Sequence, residues 1–367
     1  MTAMTWDRAK NILAVRLDSI GDVLMTTPAI RALRESGPDR RIFLLTSPSG
    51  AEAAALVPEI DEIVVYEAPW MKATPQRDDS GAEYDMIDRL RRCGLDGAVI
   101  FTVYSQNPFP AALLCYLADI PLRLAHCREN PYQVLTDWVA EKEPQEMLRH
   151  EVRRQLDLVA SIGCTTRNER LSLAVPKKAV RSIGRVLKEM GVGEGRPFVV
   201  IHPGATAPSR RYPPEKFAEL GRRVVRELGL QVVFTGTESE VALVEKIQSS
   251  MGVASFSLAG VLDLAELAAL LSSSALLISN NTGPAHVAAA VGAPVVSLYA
   301  LTNPQHVPWR VPGRVLFHDM PCKYCYKSIC PRGHNDCLRL VPPSDVFSAV
   351  SALYDETGAV KAAREVS

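Results

Sequence analysis

The chain has no net charge: 41 lysines and arginines balance 41 aspartates and glutamates over 367 residues. A protein that tracks nucleic-acid phosphates carries a basic excess, so this balance argues against general nucleic-acid binding. Long apolar runs are also lacking. None approaches the length that crosses a bilayer. Residues 1–10 have no apolar core of the kind a secretory signal needs, and the first apolar run is a short strand. These absences point to a soluble cytoplasmic protein and leave peripheral contact at the inner face of the membrane open. Tandem repeats and low-complexity segments are missing too. What remains is a chain 47% hydrophobic and 22% charged, long enough for two domains with proper cores.

Short apolar runs alternate with helical patterns almost throughout. Strands are expected over 12–17, 42–46, 63–66 and 98–103. Helices are expected over 21–35, 51–56, 84–92 and 111–118, with a longer amphipathic helix over 148–161. After 171–176 the alternation restarts with a helix over 180–190, a strand over 198–202 and a helix over 214–228. Strands over 232–235, 255–258, 276–279 and 295–299 follow, with helices between them. Such alternation builds parallel βαβ units and doubly wound sheets. Two α/β domains are therefore expected, 1–175 and 176–367, with their boundary near 175–178. Residues 68–82, with Pro69, Pro75, Asp78, Asp79 and Gly81, read as a mobile loop. In a two-domain protein of this kind, ligands lie at the carboxyl ends of strands, in the cleft between domains.

The most informative stretch runs from Ser279 through Asn280, Asn281, Thr282, Gly283, Pro284 and Ala285 to His286. A short buried run precedes it and a small-residue helix follows. Asn, Thr and Gly in the turn supply an N-cap and a position tolerant of positive φ. The helix N-terminus then offers unpaired N–H groups and a positive dipole end to a phosphate or diphosphate. His286, one turn inside, can reach the same anion. A strand–Gly–helix turn alone can equally be a simple cap, so the other strand ends carry weight. The first strand leads into Arg16-Leu17-Asp18-Ser19-Ile20-Gly21-Asp22. Asp22 at a helix start could act as a general base on a hydroxyl or merely complement the helix dipole, with Asp18 as its rival. The strand ending at His202 runs into Pro203, Gly204, Ala205 and Thr206, then Arg210, Arg211 and Tyr212. Arginine in such a loop pairs with phosphate oxygens, or it is a solvated basic turn. Glu238, after the strand near Thr235, can bind ribose or sugar hydroxyls.

Together these segments resemble glycosyltransferase family 9, the bacterial ADP-heptose heptosyltransferases. The likeness spans residues 11–309 and rests on "RLDSIGDVLMTTPAIRALR", "HPGA…SRRYP", "TGTESE" and "NNTGPAH", in that order. It implies two Rossmann-like domains facing a cleft, the GT-B type. It also implies inverting transfer without an essential metal, with the acceptor on the first domain and the donor on the second. The resemblance puts the catalytic base on Asp22. It puts donor contacts on His202, Gly204, Ala205, Thr206, Arg210, Glu238, Asn281, Thr282, Gly283 and His286. The family's Lys-x-Trp-Pro motif reads Arg210-Arg211-Tyr212-Pro213 here, and its Asp-Thr-Gly turn begins with Asn281. Asn keeps hydrogen bonding but loses charge, which bears on the sugar more than on the reaction. The implied partners are a nucleotide-sugar donor, ADP-heptose above all, and a glycan or glycolipid acceptor such as the lipopolysaccharide inner core. Arg89, Arg91, Arg92, Arg123 and Arg128 either face an anionic acceptor or are solvated charges. A 2-epimerase-like or secondary-metabolite enzyme of the same type, and a non-catalytic sugar-nucleotide binder, are the competing readings.

Cys322, Cys325, Cys330 and Cys337 fall within residues 321–338 in the spacing C-x2-C-x4-C-x6-C. Four thiolates suffice for tetrahedral zinc or an iron site, with His334 as a substitute ligand. Disulfides do not suit a reducing cytoplasm. The expectation is a structural zinc or iron with no catalytic part. Cys93, Cys115, Cys127 and Cys164 are scattered and read as ordinary thiols.

Overall fold

The computed structural model describes residues 4–365, apart from Ala73 and Glu194. The chain divides into two compact units after Ala174. The first contains β1 (Asn11–Arg16), α1 (Ile20–Glu35), β2 (Arg41–Thr46), α2 (Pro48–Ala54), β3 (Glu62–Val65), α3 (Gly81–Arg92), β4 (Gly97–Ile100), α4 (Phe109–Leu117), β5 (Leu122–Cys127), β6 (Asp137–Ala140) and α5 (Glu151–Ala160). Its sheet has the order β3-β2-β1-β4-β5-β6, and every pair is parallel. β1 and β4 lie at its centre with every residue but Asn11 buried. A parallel sheet covered on both faces demands such continuous apolar strands. Leu13, Val15, Phe43, Leu45 and Ile100 pack here against Ile87, Leu90 and Leu114 from the helices. Each such aliphatic side chain stabilises the unit by roughly 1.5–3 kcal/mol.

The second unit contains α6 (Lys177–Glu189), β7 (Phe198–His202), α7 (Pro214–Glu227), β8 (Gln231–Phe234), α8 (Val241–Met251), β9 (Phe256–Ser257), α9 (Leu264–Ser273), β10 (Leu277–Asn280), α10 (Gly283–Val291), β11 (Val295–Leu298), β12 (Gly313–Leu316), α11 (Asp336–Arg339) and α12 (Pro343–Glu365). Its sheet runs β12-β11-β10-β7-β8-β9, again all parallel. Read from β9, this is the same strand order as in the first unit. Val199, Ile201, Phe217, Phe234, Ile278 and Val296 anchor its core.

In both sheets the strand order reverses beside the first strand, between β1 and β4 and between β7 and β10. The crevice at such a reversal, at the strands' carboxyl ends, is where doubly wound sheets bind ligands. The structure adds β5, β6, β12 and the two C-terminal helices to the elements expected from sequence. β5 holds Arg123 and His126 fully inside a buried strand, which breaks the apolar pattern. Between Val65 and Gly81 the described residues form no helix or strand; Ala73 of that expected loop lies outside them.

Candidate active site

In the first unit the reversal is built around Arg16, the last residue of β1, whose side chain is fully buried. Its Nε lies 3.1 Å from Asp18, one terminal nitrogen 3.0 Å from Asp22, and the other 3.1 Å from Glu151 at the start of α5. Burial works against this charge, but Asp18, Asp22 and Glu151 outweigh it and hold the guanidinium above its ordinary value. Asp22 sits in the first turn of α1. It accepts hydrogen bonds from the Ser19 hydroxyl at 2.8 Å and the Ser19 N–H at 3.2 Å, as an N-terminal carboxylate in a capping box does. Its carboxylate is therefore oriented from two sides and still partly open, with 19% of its side chain exposed. Asp18 is nearly as exposed, at 16% of its side chain. Desolvation pushes its carboxyl up to about 6, against Arg16 and with the help of the Asp22 charge. Gln106, from the segment after β4, donates to Asp18 at 2.6 Å. One guanidinium thus serves three carboxylates, of which Asp22 and Glu151 stand at helix starts and Asp22 is the partly exposed one of those two.

In the second unit the loops after β7 and β10 are clasped by Asn280. Its Nδ2 donates to the Pro203 carbonyl at 2.7 Å, and its Oδ1 accepts from the Tyr212 N–H at 3.1 Å. Asn280 therefore closes the loop 203–212 onto the turn that precedes α10. Within the loop, Arg211 Nε donates to the Ala205 carbonyl at 2.8 Å, and Tyr212 is buried with its hydroxyl on Val341 O. Arg210 is different. It lies beside Tyr299, and its Nε is buried with no hydrogen-bond partner. A guanidinium with an unpaired Nε is suited to an anionic ligand.

Thr282 is the N-cap of α10 in extended conformation, and Gly283 and Pro284 open the helix. Proline is tolerated there because the first-turn N–H groups have no helical partner. Asn281 is buried and accepts from Ala300 N–H at 3.3 Å. His286 is buried one turn into the helix.

His202, at the end of β7, shares a 3.1 Å hydrogen bond between Nδ1 and the Thr235 hydroxyl. Its Nε2 lies 3.8 Å from Glu240. Burial pulls this imidazole below its ordinary value, against the pull of Glu240. The Glu240 carboxylate lies directly over Gly204, where a Cβ would fall 1.9 Å from Oε1 unless the Glu240 side chain moved. Glu240 also accepts from the Thr237 N–H at 2.8 Å. His202, Gly204, Ala205, Arg210, Asn281, Thr282, Gly283 and His286 thus lie around the ends of β7 and β10. Thr206 and Glu238 are exposed, Glu238 on the turn after β8. Arg16, Gln106, Glu151, Asn280 and Glu240 received no role from the sequence. Arg16 and Asn280 stand inside the motifs, while Gln106 and Glu151 carry no local signal.

Cys322, Cys325, Cys330 and Cys337 are free thiols that line one small cavity with His334, Ser209 and Thr302. Cys322 Sγ lies 3.8 Å from His334 Nε2. Burial pushes the Cys337 thiol up, reinforced by the three other thiols. At Cys330, surrounding backbone N–H groups overcome burial and pull the thiol down. Among the described residues, no three of His, Cys, Asp and Glu converge closely enough to hold a metal ion. The segment is bonded to the loop of Arg210, through Ser209 N–H to Ser328 O at 3.0 Å and Ser209 Oγ to Lys327 O at 2.8 Å. Arg91, Arg123 and Arg128 spend their guanidiniums within the first unit. Arg91 pairs with Asp119, and the other two cap backbone carbonyls.

A family model described as glycosyltransferase family 9 (heptosyltransferase) matches residues 86–335. The lipopolysaccharide core heptosyltransferase OpsX of Haemophilus influenzae is 32% identical over 297 residues, 80% of each chain. Lipopolysaccharide heptosyltransferase 3 of Escherichia coli is 25% identical over 349 residues, 91% of this chain and 96% of the relative. Among solved structures, the E. coli ADP-heptose lps heptosyltransferase II superposes with a TM-score of 0.74 at 23% identity, covering 95% of this chain and 99% of that one.

Proposed function

This chain belongs to glycosyltransferase family 9, and from that premise we propose that it moves a heptose from ADP-heptose to a hydroxyl of a lipopolysaccharide inner-core acceptor. The observation that carries the donor side is the Arg210 guanidinium, with its Nε buried and unpaired, in a loop that Asn280 holds against the turn into α10. That loop and the helix end supply donors and positive charge to a diphosphate. As the sugar leaves, they stabilise the growing charge on the departing nucleotide, so no metal is needed there. Asp22 supplies the base. The Ser19 bonds fix its orientation, and its partial exposure leaves it open to an acceptor hydroxyl. Attack from the face opposite the diphosphate inverts the anomeric centre. Glu240, packed on Gly204 and His202, is a second candidate for the ribose hydroxyls beside Glu238.

None of the described helices is long and apolar enough to cross a membrane. The proposed place of action is the cytoplasm, at the inner face of the membrane where a lipid-linked acceptor would be presented. The direct test is a donor panel read by mass spectrometry, with ADP-heptose set against UDP- and GDP-sugars on a lipid-free core oligosaccharide. The reading requires ADP-heptose to be consumed first. Preference for a UDP- or GDP-sugar would refute it.

Cys322, Cys325, Cys330 and Cys337 line one cavity without converging on a metal position in this structure, and a structural zinc or iron there requires the four thiols to draw together. Their common cavity favours this. Because the segment is bonded to Ser209, chelation should lower the melting temperature. Metal content below about a tenth of an equivalent after purification without chelator would remove the ion from this account.

A further inference from the structure

The first unit has a pocket at the carboxyl ends of β4, β5 and β6 that no part of the donor chemistry uses. Its wall includes Tyr104, Gln106, Phe109, His126, Arg128 and Glu141. His126 is only 2% exposed. Its Nε2 lies 3.2 Å from the Arg154 carbonyl. A carbonyl only accepts, so Nε2 carries the ring proton. Burial, with Arg154 adding to it, pulls the imidazole down to about 4 and keeps it neutral. Nδ1 is left as a lone-pair acceptor, and it is buried with no hydrogen-bond partner. Such an atom calls for a donor from outside the protein.

The rest of the wall says what kind of donor. Arg128, the one basic side chain among the described lining residues, is already committed. It donates to the Tyr104 carbonyl at 2.8 Å and to Gln145 at 3.2 Å. Glu141 is held by Arg154 at 3.1 Å. A phosphate would meet carboxylates and no uncommitted cation. An uncharged ring with hydroxyls meets the aromatic side chains of Tyr104 and Phe109 together with polar groups, the usual make-up of a small-molecule site. The pocket is also wired to the carboxylates. Gln106 lines it and donates to Asp18 at 2.6 Å, Asp18 pairs with Arg16, and Arg16 pairs with Asp22.

We propose that this pocket is an acceptor subsite that takes one uncharged sugar ring, with His126 Nδ1 accepting a hydrogen bond from a ring hydroxyl. The assignment rests on the function proposed above for Asp22 and deepens it. The test is calorimetric titration of the full chain with a lipid-free core oligosaccharide, without donor present. Two variants are compared with wild type. Ser105→Trp places bulk at the exposed rim. His126→Phe keeps an aromatic ring but removes both nitrogens, Nδ1 together with the Nε2 donor to the Arg154 carbonyl. Both should weaken oligosaccharide binding by about tenfold or more, the loss of one good contact, and leave ADP affinity unchanged. If His126→Phe does not fold, Ser105→Trp alone decides. Binding within about twofold of wild type in Ser105→Trp, or no binding to wild type at millimolar oligosaccharide, overturns the subsite. Failure of the proposed function has another signature: ADP-heptose is not consumed, whatever the oligosaccharide does.

Discussion

Asp18 and Asp22 stand four residues apart and share one guanidinium, that of Arg16. Asp18 is desolvated and its carboxyl rises to about 6. The folded state then holds a proton on Asp18 more tightly than the unfolded chain does. Between the ordinary carboxylate value and about 6, the folded form binds the extra proton, so stability from this group falls as pH rises through that window and is level above it. Asp18→Asn should flatten the stability profile between about pH 4 and 6. Denaturant titrations at several pH values would show it, and an unchanged slope would mean that Asp18 does not titrate there. Arg210 makes the matching case in the second unit. Its Nε is buried with no hydrogen-bond partner in the protein. Arg210→Ala should weaken ADP binding by about 1.5–3 kcal/mol, the scale of a hydrogen bond to a charged group. Calorimetry showing unchanged ADP affinity would take Arg210 out of the donor site.

At the scale of elements, one side chain holds the donor loop to its sheet. Asn280→Ala would strip a donor from the Pro203 carbonyl and an acceptor from the Tyr212 N–H, both buried. The expected cost is about 1–3 kcal/mol of unfolding free energy per group left unsatisfied, accompanied by weaker ADP binding. A variant as stable as wild type would show that the loop closes without the clasp. The alternation of strands and helices was legible because the central strands are nearly pure apolar runs, as in Ile12 to Val15 and Phe198 to Ile201. The outer elements were not. β5 buries Arg123 and His126 because Arg123 caps four carbonyls and His126 meets Arg154 O, contacts that no local pattern announces. β6 and β12 are four-residue edge strands with partly exposed faces. The helix start at Asp22 and the turn at Thr282 could be read from spacing alone. The link of Arg16 to Glu151 could not, since 135 residues separate the two.

On the scale of the whole molecule, the chain uses one sheet plan twice. Each unit gathers polar and charged groups at the reversal of strand order: three carboxylates on Arg16 in one, the Arg210 loop and the start of α10 in the other. The proposed division of labour makes a separable prediction, because the proposed base and the proposed donor contacts belong to different units. Loss of the base should damage turnover and spare donor affinity. The most direct measurement is therefore heptosyl transfer from ADP-heptose to a lipid-free core oligosaccharide, followed by mass spectrometry and by NMR of the new anomeric centre, in wild type and in Asp22→Asn. The account predicts one added heptose with inverted configuration in wild type. In the variant it predicts a turnover lower by about a hundredfold or more, with ADP-heptose affinity little changed. A retained configuration, or near-normal turnover in Asp22→Asn, would contradict it.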